Sequence, residues 1–313
     1  MYMPILKARK DEFRAIAELT APHVPHLLPV LEVVPTADGP GKDLWKFTMR
    51  AADSIPAGLL IAVDVHRLAA PLSGLNSPLE YLARDLAALG MPMLPVVRPA
   101  DPDAQFTVAG RHSDRAVVRV PITAAVGDLP RRLKEHADLL PEQCDLLLDA
   151  AAVRSPPALA RTEPTVRSLL ARAGGLPWRS ITLAAGAMPR NLPAQPLTVV
   201  PRWDLALWQR LRDTGIQYGD YGITHPQISG PGWRPSPTLR YTHDDAWHIH
   251  HRPDSHPIAV ADPAFSWGDA ELARHAESPE GHRPNWRAWG TSHHLAHVVH
   301  HLIGDHGTHA GRR

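Results

Sequence analysis

The sequence predicts an α/β protein and, within that class, a (β/α)8 barrel of the TIM type. Eight short apolar runs, most of them flanked by proline, alternate with amphipathic segments of helical length. Each run is continuously hydrophobic, which is typical of a parallel strand that is buried on both faces. Parallel strands also need helix-length crossovers, and most intervals between the runs supply them. Eight such units favour a closed barrel.

The alternative fold is an open doubly wound sheet. That fold usually carries a glycine-rich phosphate-binding turn after its first strand, and residues 7–12 contain no glycine. We therefore prefer the barrel. Its predicted strands are residues 3–6, 27–34, 58–65, 93–97, 116–122, 144–148, 180–185 and 197–200.

The intervals between these strands predict helices of unequal strength. The clear helical patterns are residues 11–19, 43–54, 77–89, 128–140, 157–173 and 204–212. Ser77 and Glu80 are spaced as in a capping box, in which each side chain bonds to the backbone of the other residue. Segments 103–113 and 188–194 have weak helical patterns, so we expect two irregular crossovers there.

Composition disfavours several classes of function. The 313-residue chain has 33 Lys and Arg against 32 Asp and Glu, a formal charge of +1, which disfavours nucleic-acid binding. No apolar run approaches the roughly 20 residues of a membrane helix. The amino-terminal residues also lack the apolar stretch of a secretory signal. With Cys144 as its single cysteine the chain forms no internal disulfide, and we expect a cytoplasmic protein.

Charged residues end or follow most of the predicted strands. They are Lys7 and Arg9 at the first strand, Glu32, Asp64, Arg98, Arg119 and Asp149 at the next five, and Arg202 at the eighth. Because the carboxyl ends of barrel strands meet at one mouth, where barrel enzymes assemble their active sites, we expect these side chains to converge. Two interpretations stay open. One is a structural ring of ion pairs that offsets the cost of burying charge, and the other is an anion-binding pocket.

A change of composition after residue 213 predicts a second unit. We expect a barrel at residues 1–213, an appendage packed on it at 214–304 and a flexible tail at 305–313. Within the appendage, residues 238–242 and 246–250 predict a β-hairpin with a charged turn.

Two further features of the appendage bear on chemistry. Asp220 lies in the sequence YGDY, where it could add a carboxylate to the mouth or simply shape a turn. The predicted helix at 286–304 carries His293, His297 and His301, each one turn from the next, and a neighbouring pair could share a metal ion. Exposed or helix-capping imidazoles are the alternative, because the glutamate of an HExxH motif is missing.

Several segments of the chain resemble one family. They are YMPILKARKDEFRAI, LLPVLEVVP, YGDYGITHP, LRYTHDDAWHI and WRAWGTSHHLAHVV. In order and spacing they are similar to the beta-protein family of phages and bacteria, named after a T-even phage product, and the resemblance spans nearly the whole chain. It implies a place in phages and in bacterial defence neighbourhoods but no particular reaction. The positions that it highlights, without roles, are Lys7, Glu12, Glu32, Asp220, Arg240, Tyr241, Thr242 and Trp247. The chain departs from the family's hydrophobic or basic context after Trp247 with His248, His250 and His251.

Two functions of different classes are consistent with these features. In the first, the mouth binds an anionic, phosphorylated or nucleotide-like ligand for phosphoester hydrolysis or transfer. The predicted ligand-binding residues are Lys7, Arg98, Arg119, Arg202, Asp220 and Arg240. The predicted catalytic residues, acting as acid or base or holding a divalent cation, are Glu32, Asp64 and Asp149.

In the second, the chain is a non-catalytic recognition protein in phage–host conflict or bacterial defence, with the barrel as a scaffold. The expected partner is accordingly a small anionic ligand or another protein, and not a membrane. No motif for Walker-type nucleotide hydrolysis, Rossmann cofactor binding or serine-hydrolase catalysis occurs in the chain.

Overall fold

Eight parallel strands form a barrel at the centre of the fold, which confirms the predicted fold class. The computed structural model describes residues 1–68, 77–124, 126–192, 195–228, 238–251, 261–276 and 285–309. The barrel strands are β1 (Ile5–Leu6), β2 (Val30–Glu32), β3 (Ile61–Asp64), β4 (Met93–Val97), β5 (Ala116–Pro121), β6 (Cys144–Ala152), β7 (Ser180–Gly186) and β9 (Gln217–Asp220). Each strand pairs in parallel with the next in that order.

The barrel closes where β9 meets the residues before β1. Tyr2 bridges in parallel to both Leu27 and Tyr218, and the Met3 amide donates to the Tyr218 carbonyl at 3.1 Å. A Cβ at Gly219 would lie 2.7 Å from the Met3 carbonyl oxygen, closer than real Cβ contacts. Glycine is therefore needed for the two strands to approach each other at this seam.

The last barrel strand is not the one that the sequence predicts. Residues 197–200 do form a strand, β8 (Leu197–Pro201), but it pairs antiparallel with β11 (Ala246–His250), which pairs with β10 (Leu239–Thr242). Alternate residues of β8 are exposed, unlike those of a barrel strand that is buried on both faces. The β10–β11 hairpin is the predicted one, and the eighth place in the barrel belongs to β9.

Helices surround the barrel in the intervals between its strands. They are α1 (Lys10–Ala17), α2 (Pro40–Ser54), α3 (Pro78–Ala88), α4 (Asp103–His112), α5 (Leu129–Arg132), α6 (Pro156–Ala173) and α7 (Trp203–Leu211). The Ser77 hydroxyl accepts from the Glu80 amide at 3.1 Å, as expected at a capped helix start.

Two of the crossovers differ from expectation. Segment 103–113, predicted to be irregular, contains the regular helix α4, because Phe106 and Ala109 are fully buried and this packing outweighs a weak helical pattern. The helix predicted at 128–140 is shortened to α5, which continues into a π-turn. The described part of segment 188–194 forms no helix or strand, and residues 193 and 194 lie outside the described residues.

Two further helices, α8 (Trp267–Arg274) and α9 (Trp286–His309), pack beside the β10–β11 hairpin. A Cβ at Gly290 would lie 2.6 Å from the Arg240 carbonyl oxygen, so α9 approaches β10 as closely as glycine allows. This contact brings the first turn of α9 next to Arg240. Among the described residues, no helix is both long and apolar enough to cross a membrane.

Candidate functional site

A buried network of ion pairs at the barrel mouth is centred on Arg119 of β5. The Arg119 Nη1 atom donates to Glu32 Oε1 at 2.7 Å and to Asp64 Oδ2 at 2.9 Å. Its Nη2 and Nε atoms donate to Asp149 Oδ2 at 2.7 and 2.9 Å. Glu32 and Asp64 end β2 and β3, and Asp149 lies in β6, so strands on both sides of β5 bring the three carboxylates to one guanidinium.

Further cations complete this network from the neighbouring strand ends. Lys7, which follows β1, forms an ion pair with Glu32, and both side chains are buried. Arg98, which follows β4, donates to Asp64 Oδ2 at 2.5 Å. His66 Nδ1 lies 2.9 Å from Asp64 Oδ1. The structure thus brings together Lys7, Glu32, Asp64, Arg98, Arg119 and Asp149, six of the residues that sequence reasoning placed at the mouth.

The cations of this network hold two of its acids in the charged form. Burial alone would raise the pKa of Glu32, but the charges of Arg119 and Lys7 lower it below the ordinary value. Burial likewise opposes ionisation of Asp64, yet the hydrogen bond with His66 and the charge of Arg98 lower its pKa well below the usual range. At neutral pH neither carboxyl therefore holds a proton to donate.

Tyr221, which follows Asp220 in the YGDY sequence and had no role assigned from the sequence, also belongs to the network. The Tyr221 hydroxyl donates to Asp149 Oδ1 at 2.5 Å and accepts from Arg119 Nη2 at 2.9 Å. Burial and the adjacent Asp149 raise the pKa of Tyr221 well above its usual value, so the phenol stays protonated. In the sequence, only its position in the YGDY segment indicated that Tyr221 could lie near the mouth.

Three of these residues have the donor set of a metal site. Glu32, Asp64 and His66 each offer one ligand atom, and these atoms lie within 4.8 Å of one another. Carboxylate oxygens with an imidazole nitrogen suit several divalent metals. However, Arg119 already donates to the carboxylate oxygens of Glu32 and Asp64, so a metal ion there would have to share or displace that guanidinium.

Beside the network lies a small cavity that we call the cationic cavity. It has a volume of about 50 Å³. Its basic lining residues are Lys7, Arg9, Arg190, His225, Arg240 and Arg287. No carboxylate is among its described lining residues. Lys7 connects the cavity to the network. It lines the cavity, and its Nζ atom pairs with Glu32 of the network. The Nζ atom also donates to the Pro226 carbonyl at 2.7 Å, next to His225 of the cavity.

Three guanidinium groups of the cationic cavity have no acidic partner in the described part of the chain. Arg9, Arg190 and Arg240 make no ion pair within 4.0 Å there. Arg287 lies 3.7 Å from the Asp11 carboxylate, a long ion pair. The cavity therefore carries an excess of positive charge, in contrast to the Arg119 network, where three carboxylates surround the central guanidinium.

Burial and the neighbouring arginines both weaken the charged form of one cavity residue. Burial, together with the charges of Arg287 and Arg9, lowers the pKa of Arg240 to about 10. The carboxyl of Glu12 lies on α1 and is 1% exposed, and neither of its oxygens has a hydrogen-bond partner in the described residues. Burial raises the pKa of Glu12, although Arg287 and Arg9 oppose this effect. Glu12 is thus a buried counter-charge that only partly offsets the arginines.

Two predicted ligand-binding residues, Arg202 and Asp220, lie in a second buried cluster at the barrel seam. Arg202 donates to the Tyr218 hydroxyl at 3.1 Å, which in turn donates to Asp204 Oδ2 at 2.7 Å. The Tyr2 hydroxyl donates to Asp220 Oδ1 at 2.6 Å. The structure does not bring Arg202 and Asp220 into contact with the Arg119 network. Their partners are residues that close the barrel.

The same cluster contains a row of groups with the spacing of a catalytic triad. His294 Nδ1 lies 2.8 Å from Thr242 Oγ1, and its Nε2 atom lies 2.9 Å from Asp220 Oδ2. All three residues are at most 1% exposed, so a substrate has no access to the hydroxyl. A nucleophile must reach its substrate. This row therefore ties α9 to the barrel rather than performing catalysis.

The histidines of α9 do not assemble a metal site among the described residues. His293 Nδ1 lies 2.8 Å from Asp269 Oδ2 and its Nε2 lies 2.9 Å from the Thr242 carbonyl, so both ring nitrogens are engaged. His297 Nε2 lies 3.6 Å from Asp244 Oδ1. Within the described chain, the one group of three ligand residues is at the Arg119 network and not on α9.

Sequence reasoning missed two arginines of the cationic cavity. Arg190 lies between β7 and β8, and Arg287 lies in the first turn of α9. Lys7 and Arg98 were identified because each comes directly after a barrel strand, and neither Arg190 nor Arg287 does. Arg240 was predicted to bind ligand, and it does line the cavity.

The fold and this site define a class of protein: an α/β barrel with a buried ion-pair network at its mouth and a cationic cavity next to it. The family is shown by a comparison with protein-family models. The chain belongs to the Beta protein family, whose model matches residues 2–300. The resemblance seen in the sequence is therefore confirmed over nearly the whole chain. A search of curated protein sequences returned no match.

Proposed function

We propose that this protein is a cytoplasmic barrel protein that binds a small phosphorylated or nucleotide-like anion in the cationic cavity. The observation that carries the proposal is the lining of that cavity, which has five Lys and Arg side chains and no described carboxylate. Arg240 gives one donor to the Ile223 carbonyl, but a guanidinium without an acidic partner keeps its remaining donors available, and arginine forks match the oxygens of phosphate. An anionic ligand would satisfy donors that the protein leaves open.

The position of the cavity supports the same proposal. Barrel enzymes often bind phosphate between the loops after their last two strands and the amino end of an extra helix. Here Arg190 follows β7, His225 follows β9, and Arg287 lies in the first turn of α9. The amino end of a helix also attracts anions, because its first amide groups lack partners within the helix.

Phosphoester hydrolysis or transfer is a second candidate function, and one observation favours it. Glu32, Asp64 and His66 could hold a divalent cation next to Lys7, which lines the cavity. Such a cation would polarise a phosphoryl oxygen while water attacked phosphorus and the ester oxygen left with a proton. Against this, the lowered pKa values of Glu32 and Asp64 leave no proton on either acid at neutral pH. Ionised carboxylates can still hold a metal ion or act as a base, so the alternative stays non-catalytic recognition, as in phage–host conflict or bacterial defence.

A thermal-shift screen tests the binding proposal. The full chain is heated with nucleotides, sugar phosphates and inorganic phosphate, each with and without Mg²⁺ or Mn²⁺. A ligand at 100 times its Kd stabilises the folded state by about 2.7 kcal/mol, which corresponds to a rise in Tm of roughly 5 °C. We expect at least one phosphorylated compound to raise the Tm. If none does, the proposal is wrong.

A pair of matched variants locates the effect. Arg190 is exposed, lines the cavity and makes no ion pair in the described residues, so Arg190→Gln should reduce the shift to about half, as a tenfold loss of affinity implies, without disturbing the fold. Arg172→Gln changes another exposed arginine, on α6, and should leave the shift intact. Release of phosphate from the bound ester by the wild-type protein but not by Asp64→Asn would favour catalysis. Binding without release would favour recognition.

A further inference from the structure

The number of open charges in the cationic cavity bears on the charge of its ligand. Of its five Lys and Arg residues, Lys7 is paired with Glu32, and Arg287 has a long ion pair with Asp11. Arg9, Arg190 and Arg240 remain without an acidic partner in the described residues. The buried carboxyl of Glu12 offsets part of this excess through space but forms no hydrogen bond. A ligand with one negative charge would leave the excess largely uncompensated, whereas a dianion would match it.

The size of the cavity limits how much of a ligand can enter. Its volume is about 50 Å³. One water molecule needs roughly 10–15 Å³ of such space, so the cavity has room for a group the size of a few waters. A tetrahedral phosphoryl group has that size, and a sugar or a base does not. The enclosed part of the cavity therefore suits a terminal group, and the rest of a ligand would extend through the open side.

The directions from which the donors come point to a tetrahedral group. Arg9 follows β1, Arg190 follows β7 and Arg240 lies in β10, so three guanidinium groups approach from separate elements. A guanidinium can bind two oxygens of one anion in parallel. Arg240 Nη1 already donates to the Ile223 carbonyl, so Arg240 contributes only its remaining donors. A carboxylate offers only two oxygens in one plane. A terminal phosphate offers three oxygens that face different directions, and it can serve all three arginines.

We infer that the cationic cavity selects the terminal, dianionic phosphate of a phosphomonoester over phosphodiesters and carboxylates. This inference rests on the function proposed above and names its ligand class. A monoester has one substituent, which leaves the cavity through its opening. A diester has a second substituent where the cavity has no room, and it carries one negative charge fewer at neutral pH. The ligand is thus held by its phosphate end.

Calorimetric titration of the full-length protein with three matched probes tests this inference. Phenyl phosphate, its methyl diester and benzoate share one aromatic ring and differ in the anion. At pH 7.5 and fixed ionic strength, we expect phenyl phosphate to bind at least about tenfold more tightly than the other two, as the loss of one charged hydrogen bond would suggest. Arg190→Gln and Arg9→Gln should each weaken phenyl phosphate about tenfold, and Arg172→Gln should not.

Each outcome separates the inference from the proposal on which it rests. If the diester or benzoate binds as tightly as phenyl phosphate, the selectivity is absent and the inference is wrong, while anion binding stands. If phenyl phosphate binds equally well to the Arg190→Gln and Arg9→Gln proteins, the anion lies elsewhere and the inference is also wrong. If neither these probes nor any phosphorylated compound binds, both the inference and the proposed function fail.

Discussion

Replacement of Arg119 by methionine removes the cation that joins three buried carboxylates. Arg119 is 2% exposed and donates to Glu32, Asp64 and Asp149. Removing one partner of a buried ion pair typically costs about 3–5 kcal/mol, because the remaining charge is left uncompensated. With three acids affected, we expect a loss at pH 7 near the upper end of that range. Domains are stable by only about 5–15 kcal/mol, so the variant should be marginally stable.

The pH dependence identifies the carboxylates as the cause. In the wild-type protein the pKa values of Glu32 and Asp64 lie below their ordinary values, so these groups stabilise the fold above the unfolded pKa. That contribution is lost as the pH falls through the folded pKa. In the Arg119→Met variant the charge of Arg119 no longer opposes the effect of burial, so the pKa values of Glu32 and Asp64 rise. The deficit of Arg119→Met relative to the wild type should therefore shrink between pH 7 and pH 4, as the acids take up protons.

Urea denaturation followed by tryptophan fluorescence measures both effects. With an m-value of roughly 3 kcal/mol/M, the expected loss lowers the midpoint by roughly 1–2 M at pH 7. Arg131→Met is the control, because Arg131 makes exposed ion pairs with Asp128 and Glu135 and should contribute little. The reasoning is refuted if the Arg119→Met midpoint equals that of the wild type, or if the deficit is the same at both pH values.

Three other substitutions or reactions test separate parts of the structure. Gly290→Ala should lower the stability by about 1–3 kcal/mol and weaken anion binding, because its Cβ would lie 2.6 Å from the Arg240 carbonyl oxygen. Gly304→Ala is the control and should have neither effect, because nothing lies within 4 Å of its Cβ. Thermal melts with and without phosphate compare the two variants. Glu12→Gln should tighten phosphate binding in calorimetric titrations and raise the stability at pH 7, an advantage that disappears as the pH falls, because the folded pKa of Glu12 is raised. Unchanged affinity would remove Glu12 from the electrostatics of the cavity. Burial, with the charge of Asp145, raises the pKa of Cys144 to about 12, so a thiol reagent at pH 8 should label it only after unfolding; rapid labelling of the native protein would contradict this.

The sequence was sufficient to predict most of the barrel and the convergence at its mouth. A continuous apolar run followed by a charged residue indicates a buried strand and its carboxyl end, and parallel pairing then brings Glu32, Asp64, Arg119 and Asp149 to one place. The eighth strand was predicted wrongly because its identity depends on a distant partner. The sequence QYGD of β9 has little apolar character, but Gly219 fits against the Met3 carbonyl. No local pattern reports such a contact.

The same limit applies to the candidate site. Strand-end position predicts which charged side chains approach the mouth, but not which partner each one finds. Arg202 donates to the Tyr218 hydroxyl at the seam and not at the mouth, because it follows β8, which belongs to the three-stranded sheet and not to the barrel. Arg190 and Arg287 reach the cavity from a loop and from the start of a distant helix, so neither carried a periodic signal. Their position depends on long-range packing, such as the contact between Gly290 and Arg240.

The division of the mouth into two parts separates residues that maintain the fold from residues that can bind a ligand. A charged group in the interior needs a partner, because burying it alone is costly. Arg119 has three carboxylate partners, so a ligand anion would have to compete with all of them. Arg9 and Arg190 have no such partner in the described chain, so an anion that meets them would not compete with a paired carboxylate. For that reason we propose the cationic cavity, and not the Arg119 network next to it, as the place where a ligand binds.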